Sequence, residues 1–227
     1  MLYYYEDIRA AIEVISAIMS FILVRFMIRP YEATGESRYL GLPFGFGFLG
    51  ATYVLSAVAY YIPDIFGGNT FYIQLFARTF AFLFIAITYY FSKKRAKNSH
   101  WLWRITLTLS ITLIIISFVI IGLPNLANVQ SYRTADTYLR VINIAIVLYV
   151  CIHTFKSYIE KPDATTIWIP IGYAFLAASQ YSVLLFSLVW DLGHYTIFGA
   201  LILRLVFLSI FLLVMVRSFY YTTKVQR

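Results

Sequence analysis

The sequence predicts an all-α fold: a polytopic membrane protein built as a bundle of seven transmembrane helices, with the N-terminus outside and the C-terminus in the cytoplasm. Three observations predict it. Hydrophobic residues make up 61% of the 227 residues and charged ones only 12%, about half the charge of an ordinary soluble domain, and the mean hydropathy is +0.78. The apolar residues fall into seven stretches of about 20, the length that crosses a hydrocarbon core about 30 Å thick. Lysines and arginines gather in alternate gaps between those stretches. This composition excludes a soluble enzyme, a disordered chain, a disulfide scaffold and a conventional nucleic-acid binder. The single cysteine, Cys151, excludes an internal disulfide.

Each span is bounded by breakers or charge. The first, about 8–28, is closed by Arg29, Pro30 and a polar run to Arg38. The second, 42–62, carries Pro43 in its first turn and ends at Pro63 and Asp64. The third, 71–92, lies between Gly67, Gly68, Asn69 and the basic run Lys93, Lys94, Arg95, Lys97. The fourth, 102–122, starts among Trp101 and Trp103 and stops before Pro124. The fifth, 137–157, runs to Lys161 and Pro162, the sixth, 166–188, to Trp190 and Asp191, and the seventh covers 196–220. The alternating ~10-residue segments of a membrane barrel do not occur. The chain reads as one transmembrane domain, 1–227, and Met1 to Asp7 lacks the basic region and small-residue cleavage site of a removable signal peptide.

Orientation follows from the positive-inside rule. The gaps after spans one, three and five, together with the C-terminus, hold thirteen of the eighteen lysines and arginines, whereas the gaps around Pro63 and Gly193 hold none. Paired aromatics at span edges, such as Tyr60 with Tyr61 and Tyr89 with Tyr90, fit an interfacial belt. The expected location is the cell membrane, with the lipid bilayer as the first partner. Small residues in span two (Gly41, Gly45, Gly47, Gly50) and span six (Gly172, Ala177) let helix backbones approach closely, within the chain or at a dimer seam.

Charge inside a bilayer is costly, so it marks where function is sought. At 1.5 Å of rise per residue, Glu13 lies about 8 Å below the outer surface, Arg78 about 10 Å, Arg140 about 5 Å and Arg204 about 12 Å. Gln74 shares a helix face with Arg78, and Arg140 shares one with Asp136 and Asn143. With Gln180, five spans contribute polar groups to one layer in the outer half. The candidate ligand-binding set is therefore Glu13, Gln74, Arg78, Arg140, Asn143, Gln180 and Arg204. Three guanidinium groups face one buried carboxylate, with Asp136 and Asp191 at the rim, and Arg suits planar anions through its fork of donors. The competing reading is that these groups pair with one another or snorkel to headgroups, Arg140 above all. The ligand reading expects Arg204→Leu to fold and to lose ligand-dependent stabilisation.

Catalytic patterns do not assemble. His153 and Cys151 are two apart and face different ways on a helix. No His-x-x-x-His or Glu-x-x-His spacing offers a metal site. No span carries two inward carboxylates. Neither an enzyme nor a metal or other cofactor is expected. Seven short-looped spans with the N-terminus outside resemble the architecture of microbial rhodopsins, and Arg78 followed by Leu83 and Phe84 is similar to that family's third-helix pattern. The resemblance implies topology without chromophore: spans six and seven contain no lysine for a retinal Schiff base, and Ala81 stands where a counterion carboxylate belongs.

The resulting expectation is a sensor-like or accessory subunit of the membrane. Its outer layer would bind a small anionic or amphiphilic ligand, or a partner helix. Its cytoplasmic face, with Lys93, Lys94, Arg95, Lys97 and Arg104, would contact acidic lipid or a signalling protein. Two alternatives stay open: a small secondary transporter for an organic anion, and a purely structural subunit of a membrane complex.

Overall fold

The computed structural model describes residues 2–35, 39–62, 69–92, 99–122, 129–163, 166–188 and 193–225. Helix is the only regular secondary structure among them. In chain order the helices are α1 (Leu2–Met27), α2 (Arg29–Thr34), α3 (Gly41–Tyr61), α4 (Thr70–Ser92), α5 (Ser99–Gly122), α6 (Val129–Glu160), α7 (Trp168–Leu188) and α8 (Gly193–Val225). Six segments combine the length and apolarity needed to cross a membrane: Glu6–Thr34, Gly41–Tyr61, Thr70–Phe91, Tyr132–Glu160, Trp168–Leu188 and Tyr195–Ser218. The chain is thus a multi-pass helical membrane protein. α5, with 24 residues, is a further long helix.

The ends depart from the apolar stretches for local reasons. The first span stops at Met27, and Pro30 sits in the first turn of the short α2, where its missing N–H costs nothing. Gly35 then ends α2 in the left-handed conformation, φ 66°, with its N–H bonded to the Tyr31 carbonyl. α6 and α8 overrun their expected spans at both ends, because backbone hydrogen bonding continues into polar residues that hydropathy does not register. Asn69 opens α4: its carbonyl accepts from the Tyr72 and Ile73 amides, and its Nδ2 donates to the Ile120 carbonyl of α5 at 2.8 Å.

Six helices close into a ring. α1 packs on α3, α3 on α4, α4 on α6, α6 on α7, α7 on α8, and α8 returns to α1. α5 joins at α4, placing Leu113 against Ala77, Phe80 and Phe84. The α3–α4 contact depends on glycine. A Cβ at Gly41 would collide with Thr88 Oγ1, and one at Gly45 would lie 2.6 Å from Ile85 Cγ1 and 3.0 Å from the Ala81 carbonyl. The small residues of span two are therefore used within the chain. Toward the end of the ring where α1 finishes, the core is aromatic: Phe46, Tyr173, Phe207 and Phe211 are fully buried, and the rings of Tyr173 and Phe207 each lie 4.9 Å from that of Phe211. The outer faces stay apolar, with Ile15 and Ile18 of α1, Ile152 of α6 and Leu213 of α8 exposed, as lipid contact requires.

Candidate functional site

Each helix of the ring turns one stripe toward its axis. On α6 the stripe is Asp136, Arg140, Asn143, Val147 and Val150, all buried and spaced by three or four residues, so they share a face. On α3 it is Tyr53, Ser56 and Tyr60; on α4, Phe71, Gln74, Leu75 and Arg78; on α8, Ile197, Ala200, Leu201 and Arg204. α1 adds Arg9 and Glu13, and α7 adds Ser179, Gln180, Val183 and Phe186. Leaving aside Asp136, Asn143, Val147 and Val150, and adding Tyr132 of α6 and Tyr72 of α4, these residues come from the first halves of α1, α4, α6 and α8 and the second halves of α3 and α7. All lie at the end of the bundle where α1 begins. They enclose a cavity of about 570 Å³, within the ~300–1,000 Å³ of small-molecule sites.

Two of the three central arginines have partners. Arg204 Nη2 lies 2.8 Å from Glu13 Oε2, and its Cζ sits 4.2 Å from the centroid of the Tyr53 ring. The Arg204–Glu13 contact is an ion pair by distance, but its N–H is not aimed at the oxygen, and Glu13 Oε2, Arg204 Nε and Arg204 Nη2 all lack hydrogen-bond partners. Arg140 Nε donates to Asp136 Oδ2 at 2.6 Å. The same oxygen accepts from Ser187 Oγ at 2.6 Å, and Arg133 Nε donates to the Ser187 carbonyl at 3.0 Å. These bonds clasp α6 to the end of α7. Near the rim, Arg9 stacks on Tyr60 with Cζ 4.9 Å from the ring centroid.

Arg78 is different. It lines the cavity, its Nε is buried without a hydrogen-bond partner, and it forms no ion pair among the described residues. Around it, Gln74 Nε2 and Gln180 Oε1 are also buried without partners. Three arginines of the wall (Arg78, Arg140, Arg204) stand against Glu13 and the Asp136 bound to Arg140. The cavity therefore carries excess positive charge, together with donors and acceptors left for something to satisfy.

No family model, curated protein or solved structure matches the chain. The expected likeness to microbial rhodopsins finds no support in these comparisons, and the cavity must be read from its own chemistry.

Of the seven residues expected to bind ligand, the structure brings six to the cavity: Glu13, Gln74, Arg78, Arg140, Gln180 and Arg204. Asn143 is 1% exposed with neither amide atom partnered, but it lies a turn beyond Arg140, off the cavity wall. Two expectations need correction. Asp136 is buried at 4% instead of lying at the rim, and Arg140, at 8%, turns inward instead of snorkelling. Both sit on the α6 stripe that faces the axis of the ring. Of the basic set expected on the cytoplasmic face, Arg104 is exposed on α5, and Lys93, Lys94, Arg95 and Lys97 lie outside the described residues. Among the described residues no group of three or more His, Cys, Asp or Glu side chains is placed to hold a metal.

Sequence reasoning missed the contribution of α3 altogether. Tyr53, Ser56 and Tyr60 carry no charge, and Tyr60 fits the interfacial belt equally well. Their three- and four-residue spacing was the available signal. The same holds for Phe71 against Gln74 and Arg78, and for Arg9 four residues before Glu13.

Proposed function

We propose that this chain is a seven-span protein of the cell membrane, N-terminus outside and C-terminus in the cytoplasm, acting without catalysis as a sensor-like or accessory subunit. Its outer cavity binds a small anionic or amphiphilic ligand. The observation that carries this reading is Arg78, an arginine in a membrane cavity with no ion-pair partner among the described residues. A central arginine costs about 2.5–3.5 kcal/mol to insert, and one used only as structural glue would be expected to have a carboxylate. Arg140 and Arg204 show what that looks like.

Binding is favoured over passage by what lies beyond the floor. Phe207 and Phe211 follow Arg204 by one and two turns of α8, and with Phe46 and Tyr173 they fill the ring. A site closed by packed aromatic rings holds a ligand; it does not conduct one. The cytoplasmic face, with Lys93 to Lys97 and Arg104, would meet acidic lipid or a signalling protein and pass on the state of the cavity.

The test is thermal unfolding of the purified protein in detergent against a panel of organic carboxylates and phosphates. A ligand at a hundred times its Kd adds about 2.7 kcal/mol, which for a chain of this size raises Tm by about 5–10 °C. Arg78→Gln should abolish the rise while leaving the unliganded Tm close to that of the parent. Saturable counterflow of a labelled anion in proteoliposomes would overturn the binding-only assignment in favour of transport.

A further inference from the structure

The polarity of the cavity runs opposite to that of a membrane lipid. On four of the six walls the polar group is the deeper one; on α1 a cation, Arg9, also stands near the rim, stacked on Tyr60. α4 has Phe71 at the rim and Arg78 seven residues further in; α6 has Tyr132 and then Arg140; α7 has Phe186 above Gln180; α8 has Ile197 above Arg204. At 1.5 Å of rise per residue, the charged floor lies about 10 Å beneath the aromatic rim. Phe71 and Phe186 line the cavity yet are 51% and 37% exposed. The Tyr132 ring lies 5.9 Å from Phe71 and 5.1 Å from Tyr72. Between α4, α6 and α7 the rim is therefore an aromatic shelf.

A bilayer lipid holds its charge at the interface and its chains below. To use this site it would have to sink its headgroup to the floor and lead its chains back up to the water. A soluble molecule with an anionic end and a flat apolar body fits the gradient directly. The floor is suited to a carboxylate: a guanidinium meets its two oxygens with parallel N–H donors. Gln74 Nε2 on the same face of α4 supplies another unpartnered donor. The rim is suited to an aromatic body, which packs on Phe71 and Tyr132 in offset or edge contact.

We infer that the cavity takes a water-borne aryl carboxylate, carboxylate down on Arg78 and ring up on the shelf formed by Phe71 and Tyr132. This rests on the anion-binding reading above and deepens it by fixing the class, the orientation and the source of the ligand.

The experiment is calorimetric titration of the full chain in phosphatidylcholine nanodiscs with four probes: 2-naphthoate, benzoate, the neutral 2-naphthalenemethanol, and dodecanoate. Naphthoate should bind at least about tenfold more tightly than the alcohol, the discrimination that charge-assisted hydrogen bonds supply. Arg78→Gln should weaken naphthoate and benzoate by the same factor. Phe71→Ala should weaken naphthoate about fivefold and leave benzoate unchanged, since the smaller ring does not reach the shelf. Phe71→Leu, at a position half exposed to the surroundings, provides a milder second variant should alanine compromise folding.

Dodecanoate binding more tightly than naphthoate, or Phe71→Ala moving benzoate as far as naphthoate, overturns the aryl, water-borne assignment and leaves the anion site standing. If the alcohol binds as tightly as naphthoate and Arg78→Gln changes nothing, or if no probe binds, the anion site falls with it.

Discussion

Removing one member of the Arg204–Glu13 pair should damage the bundle more than removing both. The two side chains are 7% and 5% exposed and 2.8 Å apart. Arg204→Met would leave the Glu13 carboxylate buried with no counter-ion, a loss of about 3–5 kcal/mol for a broken buried pair. At about 2–4 °C per kcal/mol for a chain of this length, Tm should fall by about 10 °C. Glu13→Gln should cost less, because Arg204 keeps the Tyr53 ring 4.2 Å from its Cζ, a contact worth about 2 kcal/mol away from water. The double variant leaves neither charge unpaired and should recover most of the loss. Unfolding followed by tryptophan fluorescence in one detergent compares all four proteins. Single variants within about 1 kcal/mol of the parent, or a double variant no better than Arg204→Met, would refute the reasoning. On this reasoning Arg204→Leu would not fold as the parent does, and Arg78, not Arg204, is the arginine whose removal tests binding cleanly.

Three further outcomes are expected. Gly45→Val should cost about 1–3 kcal/mol by overpacking the α3–α4 seam, seen as a lower Tm, whereas Gly47→Val, whose nearest neighbour would be Val24 at 3.8 Å, should cost little. Asp136→Asn removes the carboxylate that holds both Arg140 and Ser187; amide exchange should speed up over residues 183–188 while the far end of α7 keeps its protection. Lys97→Cys in a Cys151→Ala background should react with an impermeant maleimide only from the cytoplasmic side, and labelling from outside would reverse the orientation proposed above.

The membrane helices and the polar layer were legible because both depend on one-dimensional spacing. A charge in an apolar run stands out, and helical rise converts its position into depth, which with the shared face of Gln74 and Arg78 is why six of the chosen residues share one cavity. What the spacing could not supply was azimuth. Depth put Arg140 within snorkelling reach of the headgroups, but the α6 stripe through Val147 and Val150 turns it inward, and there Asp136 becomes its partner. Asn143 sits on that stripe too, yet a turn too far along to line the cavity. Uncharged wall residues such as Tyr53 were illegible for the converse reason: in a chain with 20 tyrosines, nothing but the fold distinguishes those that face the ring from those that belong to the belt. The position of α5 beside α4 was likewise invisible, because its composition differs little from that of α3, which does line the cavity.

The Glu13–Arg204 contact joins the helix that is synthesised earliest to the one synthesised last among those that form the ring. Until the ribosome has delivered α8, Glu13 has Arg9, four residues earlier on its own helix, as a nearby cation. The ring therefore closes on its last helix: the pair that ties α8 back to α1 forms only once the whole bundle has been delivered.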